Sequence, residues 1–144
     1  MSQPVPMPVF GTRQAGAVYL PRLAAYAVIS NPGGRVAVVQ MDGEWHLPGG
    51  SLQAGETHPE ALARLLTAQF GSTGELNDLI AQADEYYFSA RENRHIQLQC
   101  NLYTVNLPPA AGQPPAVEWL PPDEAARRLS LVCHAWAVRQ VYEW

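Results

Sequence analysis

The chain is expected to fold as one α+β domain, and three observations predict this. Segments of β character fall into two groups, with one helix between them and helices at the end. Hydrophobic residues make up 47% of the 144 positions and charged residues 15%. That is enough apolar material for a full core in a chain whose length suits a single domain of roughly 100–200 residues. Finally, a glycine- and proline-rich loop runs straight into a capped helix over Trp45 to Gly71 (WHLPGGSLQAGETHPEALARLLTAQFG), and the rest is arranged around it.

In chain order, residues 1–9 carry Pro4, Pro6 and Pro8 and are expected to form an extended lead-in to a domain spanning 10–144. Phe10 to Leu20 is expected to hold a short strand. Arg22 to Ser30 (RLAAYAVIS) is read as a buried strand, Asn31-Pro32-Gly33-Gly34 as a turn, and Arg35 to Met41 (RVAVVQM) as the strand returning from it. Asp42-Gly43 makes another turn. After the central helix, Leu76 to Ala83 is ambiguous and Glu85 to Ala90 (EYYFSA) is strongly β. Arg91 to Arg94 makes a charged hairpin tip. His95 to Leu107 alternates, with Ile96, Leu98, Cys100, Leu102 and Thr104 on one face. Pro108 to Pro115 is a loop, Ala116 to Leu120 a short strand, and Asp123 to about Leu129 a helix. The last helix starts near Leu131 and aligns Leu131, Ala135, Val138 and Tyr142, a face that serves either the core or a homodimer interface.

Thr57 is the natural N-cap of the central helix, with Glu60 three residues on completing a capping box and Pro59 in the first turn. Ala61, Leu62, Leu65, Leu66 and Phe70 recur at helical spacing, and Gly71 is a natural stop. This loop-helix resembles the Nudix (MutT-like) box, Gly-x5-Glu-x7-Arg-Glu-U-x-Glu-Glu-x-Gly-U with U aliphatic. Gly50, Glu56, Arg64, Leu66 and Gly71 match, and Trp45-His46-Leu47-Pro48-Gly49 is similar to the usual approach. Where the family has three glutamates, this chain has Leu65, Ala68 and Gln69.

The resemblance implies a mixed sheet between helices, an α/β/α sandwich whose cleft is formed by the box. It implies a small nucleotide or diphosphate metabolite as ligand, and hydrolysis of nucleoside diphosphates linked to another moiety. It also implies Mg2+ or Mn2+ held by carboxylates on the helix. Positions 65, 68 and 69 share one helix face. Leucine and alanine offer no ligand there, and Gln69 offers one neutral oxygen. Standard metal-dependent pyrophosphohydrolysis is therefore expected to be impaired or absent, the alternative role being a non-catalytic nucleotide- or metabolite-binding or regulatory module.

Glu56 either helps to hold a metal or pairs with Arg64 to fix the loop. Arg64 has Glu60, one turn earlier, as a second partner. Gly49 and Gly50, with Gly55, permit close backbone approach to a phosphate or simply satisfy the loop. Glu92 is a candidate general base or a solvated tip residue. Glu85 and Glu118 are further acids that would rebuild a metal site only together with Glu56. Tyr86, Tyr87, Tyr103 and Trp119 either stack on a base or belong to the core. His46 either contacts phosphate or is structural, and His46, His58, His95 and His134 have no metal-ligand spacing.

Other function classes are disfavoured by composition. A net charge of −4 lacks the basic footprint of a nucleic-acid binder. All nine basic side chains are arginine, which excludes a lysine nucleophile and points to a GC-rich coding genome. Cys100 and Cys133 are too few for a disulfide framework and read as buried thiols. The N-terminus lacks signal-peptide character and no run approaches a membrane span, so a cytoplasmic protein is expected.

Overall fold

The computed structural model describes residues 7–41, 43–108 and 117–142. Its elements are β1 (Val9–Phe10), β2 (Tyr19–Ile29), β3 (Val36–Met41), β4 (Glu44–His46), β5 (Gly49–Ser51) and α1 (His58–Phe70). These are followed by β6 (Glu75–Ser89), β7 (Arg94–Asn106), β8 (Val117–Leu120), α2 (Pro122–Arg128) and α3 (Val132–Tyr142). A five-stranded mixed sheet has the order β1-β6-β7-β2-β5, and a three-stranded antiparallel sheet the order β4-β3-β8. The expected α+β class and α/β/α layering are what the chain adopts.

Period-two alternation divides the core into two layers. Ala24 and Val28 of β2 pack with Leu98 and Leu102 of β7 and with Ala125, Cys133 and Val138 of the C-terminal helices. Ala25, Ala27 and Ile29 point the other way, against Leu62, Leu66 and Phe70 of α1. Each large side chain buried in this way contributes about 1.5–3 kcal/mol.

α1 starts and stops where its caps dictate. Thr57 Oγ1 accepts from the Glu60 N–H at 3.2 Å, and Glu60 Oε1 accepts from the Thr57 N–H at 2.9 Å. Gly71, at φ 75°, donates its N–H to the Thr67 carbonyl and ends the helix.

Several sequence expectations are corrected. No strand fills Phe10 to Leu20: β1 ends at Phe10 and β2 begins at Tyr19, because Gly11 and Gly16 adopt φ of 75° and 81° and take the backbone out of a ladder. β3 does not return alongside β2. β2 is already paired on both sides, antiparallel with β5 and parallel with β7, so β3 joins the other sheet and one Ser30–Val36 bridge remains. The ambiguous Leu76 to Ala83 stretch belongs to one long strand with Glu85 to Ser89, and register shifts between Leu76 and Ala81 blur its alternation. Thr104 is only half-buried, whereas Tyr103 and Val105 are buried, because that end of β7 is also covered on its α1 side. Residues 1–6 of the lead-in, most of the Pro108 to Pro115 loop and Asp42 of the Asp42-Gly43 turn lie outside the described residues.

Candidate functional site

Beside the loop that feeds α1 lies a cleft of about 810 Å³. One wall is Gly49, Gly50, Leu65 and Gln69. The floor comes from β2, through Arg22 and Tyr26. The opposite wall is the end of β6 and the turn after it, with Glu85, Tyr87 and Glu92, and His46 and Glu44 close the rim.

The glycine wall is a backbone wall for a steric reason. Gly49 sits on β5 opposite Tyr26 at φ 135°, and a Cβ there would lie 2.1 Å from the Ala25 carbonyl oxygen. Gly50 faces α1, where a Cβ would meet Leu65 Cδ2 at 3.3 Å. Gln69 closes the arrangement from the helix. Its Oε1 accepts from the Gly49 N–H and its Nε2 donates to the Gly49 carbonyl, both at 3.2 Å. The carboxamide thus satisfies both backbone groups of one residue, as a neighbouring strand would. Ala68 is exposed and does not line the cleft.

Glu56 and Arg64 form a two-pronged ion pair. Arg64 Nε donates to Glu56 Oε2 at 2.8 Å and Nη2 to Oε1 at 2.9 Å, while Oε1 also accepts from the Gln53 N–H at 2.7 Å. Arg64 Nη2 additionally donates to the Ser51 carbonyl at 3.1 Å. The Arg64 guanidinium, with the Gln53 amide second, holds the Glu56 carboxyl at about 2, below its usual range. Neither residue lines the cleft. The Glu60 carboxylate is used in the capping box.

The remaining acids are dispersed or engaged. Glu118 is exposed on β8, opposite Val38, and does not line the cleft. Glu85 lines it but is buried, and its two oxygens accept from the first amides of α3, Val132 at 3.1 Å and Cys133 at 2.7 Å. Glu92 binds Arg22 through two contacts of 2.7 Å. Glu44 lies 3.4 Å from His46 Nε2. Of the four aromatic candidates, Tyr87 lines the cleft. Tyr86 packs edge-on against Tyr19, Tyr103 is buried under α1, and Trp119 packs on the same core layer.

Arg22, Tyr26 and Glu44 were not marked by any local sequence signal, since they reach the cleft through sheet pairing. His134 is a further surprise. It is fully buried on α3, and its Nδ1 accepts the Leu47 N–H at 3.1 Å, which leaves the proton of the neutral ring on Nε2. Nε2 has no hydrogen-bond partner among the described residues, and the ring packs against Tyr26 at 4.2 Å. Burial, helped by His46, depresses its pKa well below the usual histidine value. Cys100 and Cys133 are buried free thiols, as expected, with their sulfurs 3.9 Å apart.

A family model described as "NUDIX domain" matches residues 20–144. The chain belongs to the NUDIX family. Solved structures agree with this NUDIX fold. A MutT protein from Methanosarcina mazei Go1 superposes with TM-score 0.67 at 18% identity, covering 87% of this chain and 96% of that one. The E. coli dihydroneopterin triphosphate pyrophosphohydrolase gives 0.66 at 20% identity, covering 85% and 96%. A C. elegans Ap4A hydrolase gives 0.62 at 15%, covering 88% and 98%. No curated protein matches the NUDIX chain. Among its described residues, no helix is long and apolar enough to cross a membrane.

Proposed function

We propose that this NUDIX protein binds a small nucleotide or diphosphate metabolite in its cleft, and that standard metal-dependent pyrophosphohydrolysis is impaired or lost. The observation that carries the reading is the cleft face of α1. Leu65 has no donor atom, and both polar atoms of Gln69 are committed to Gly49. NUDIX hydrolases generally use divalent ions such as Mg2+ or Mn2+, which take oxygen ligands and favour carboxylates. The residues present do not fit such an ion. No group of three or more His, Cys, Asp or Glu among the described residues is placed to hold one. A hydrolase with relocated acids would draw on Glu44, Glu85 and Glu92, the carboxylates that line the cleft. Glu85 would have to abandon the α3 amides and Glu92 would have to abandon Arg22.

In this reading Glu56 and Arg64 hold the loop in shape, and Gly49 and Gly50 offer backbone for close ligand approach. Glu92 is an ion-pair residue rather than a general base. The named activities of the E. coli and C. elegans relatives support the ligand class, small phosphorylated metabolites, without choosing among them.

The test is turnover of a pooled panel of nucleoside diphosphate derivatives with Mg2+ and with Mn2+, comparing wild type with Glu56→Gln. The expected result is no metal-dependent product from either. Product from the wild type that Glu56→Gln abolishes would establish a working hydrolase and overturn the reading.

A further inference from the structure

The ion pair inside the cleft has the geometry of an occupied anion site. Arg22 Nη1 and Nη2 donate to Glu92 Oε2 and Oε1, each at 2.7 Å, so the guanidinium presents its flat fork to two carboxylate oxygens. A phosphate or carboxylate group on a ligand offers the same pair of oxygens to the same fork. We propose that Arg22 is a metal-independent recognition site for a phosphate or carboxylate group of the cleft ligand, and that Glu92 occupies it until the ligand displaces it. This rests on the reading above that the cleft binds its ligand without a metal.

Four features carry it. Both partners line the cleft and remain partly open to solvent, with side-chain exposures of 26% and 33%, so an incoming anion can reach the fork. Tyr26 and Tyr87 line the same cleft as Arg22, giving the rest of the ligand aromatic surface. The pair is not needed to join its elements, because β2, β7 and β6 are already continuous through backbone ladders. Glu92 also has somewhere to go. It sits on the short turn between β6 and β7, and the charges of Arg91 and Arg94 act on it there, so a displaced carboxylate stays among cations. Arg64, by contrast, is held by Glu56 and by the Ser51 carbonyl, and lies outside the lining.

A partly open, two-contact pair is stronger than an ordinary surface ion pair, but an incoming anion recovers the same two hydrogen bonds to the fork, so the exchange costs the ligand little. Removing the competitor is therefore expected to tighten anion binding by about two- to fivefold. Removing the fork is expected to weaken it by about tenfold or more.

The experiment is calorimetric titration in EDTA at low salt, using ADP as the phosphate probe, citrate as the carboxylate probe and adenosine as the uncharged control. Proteins are wild type, Glu92→Gln, Arg22→Gln and Arg22→Lys, with folding checked by circular dichroism. The expected pattern is that ADP or citrate binds the wild type, binds Glu92→Gln more tightly, and loses affinity with Arg22→Gln. Arg22→Lys, which keeps the charge but not the fork, should fall between wild type and Arg22→Gln, and it carries the test if the glutamine variant does not fold. Adenosine should respond to none of these changes. ADP alone responding identifies a phosphate site; citrate alone, a carboxylate site. Equal anion binding by wild type and the Arg22 variants, no gain from Glu92→Gln, or no anion binding by any protein would overturn the proposal. Absence of anion binding by every protein would count against the binding half of the broader reading as well, whereas equal binding by wild type and the Arg22 variants, or no gain from Glu92→Gln, would overturn this proposal alone.

Discussion

Gln69 uses a donor and an acceptor at once, and that distinguishes it from the glutamate of the family pattern. A carboxylate can accept from the Gly49 N–H but cannot donate to the Gly49 carbonyl, which would then face a second acceptor at about the same distance. Gln69→Glu is therefore expected to destabilise the metal-free protein by about 1–3 kcal/mol. Urea unfolding in EDTA checks this, and an unchanged midpoint would mean that the clamp contributes nothing. The substitution looks like a restoration of the box, yet on this backbone it removes a structural bond.

At the level of elements, α1 carries its own start and stop in Thr57, Glu60 and Gly71, whereas α3 depends on a residue 47 and 48 positions away in the chain. The first amides of a helix lack intrahelical partners and carry partial positive charge, and the buried Glu85 carboxylate answers both needs. Glu85→Gln keeps one good acceptor and replaces the other with a donor, leaving one amide facing it. A loss of about 1–3 kcal/mol is expected by chemical denaturation. Faster amide exchange at Val132 and Cys133 should accompany it, and unaltered exchange there would show that the cap is dispensable.

The molecule as a whole should lose stability with acid, first as histidines and then as carboxylates take up protons. His134 is buried and neutral, with its pKa lowered well below 6.5 by burial and then by His46. Once the pH falls below the unfolded histidine value near 6.5, the unfolded chain binds a proton that the fold refuses. Stability then declines by at most about 1.4 kcal/mol per pH unit. The Glu56 carboxyl is held at about 2, first by Arg64 and then by the Gln53 amide, against an ordinary 4.5. Its contribution is complete above the ordinary value and disappears as the pH falls from there towards about 2. Denaturation measured across pH should show a shallower loss below about pH 6.5 in His134→Gln and a smaller loss below about pH 4.5 in Glu56→Gln, with His58, Glu60 and Glu92, shifted in the same directions, supplying the remainder. A wild-type stability that stays flat from about pH 7 to pH 5.5 would contradict the histidine assignment.

What the sequence determined by itself is local. The span of α1 and the glycine loop follow from residues within one or two turns of each other, and the α+β order from the succession of such local patterns; the sequence offers Arg64 as one partner of Glu56, and the structure selects it. Capping and helical periodicity are short-range properties. The alternation of β7 was legible up to Leu102 and failed at Tyr103, where the burden shifts to the face covered by α1. Only the tertiary structure decided which strand pairs with which, because β2 and β3 look like a hairpin in sequence and part in space once β5 and β7 occupy both edges of β2. It also decided the fate of the three candidate acids outside the box. Glu85 went to a helix end, Glu92 to Arg22, and Glu118 to an exposed strand face. Pairing and charge neutralisation across 47 to 70 residues depend on sheet order and register, and a linear pattern carries neither.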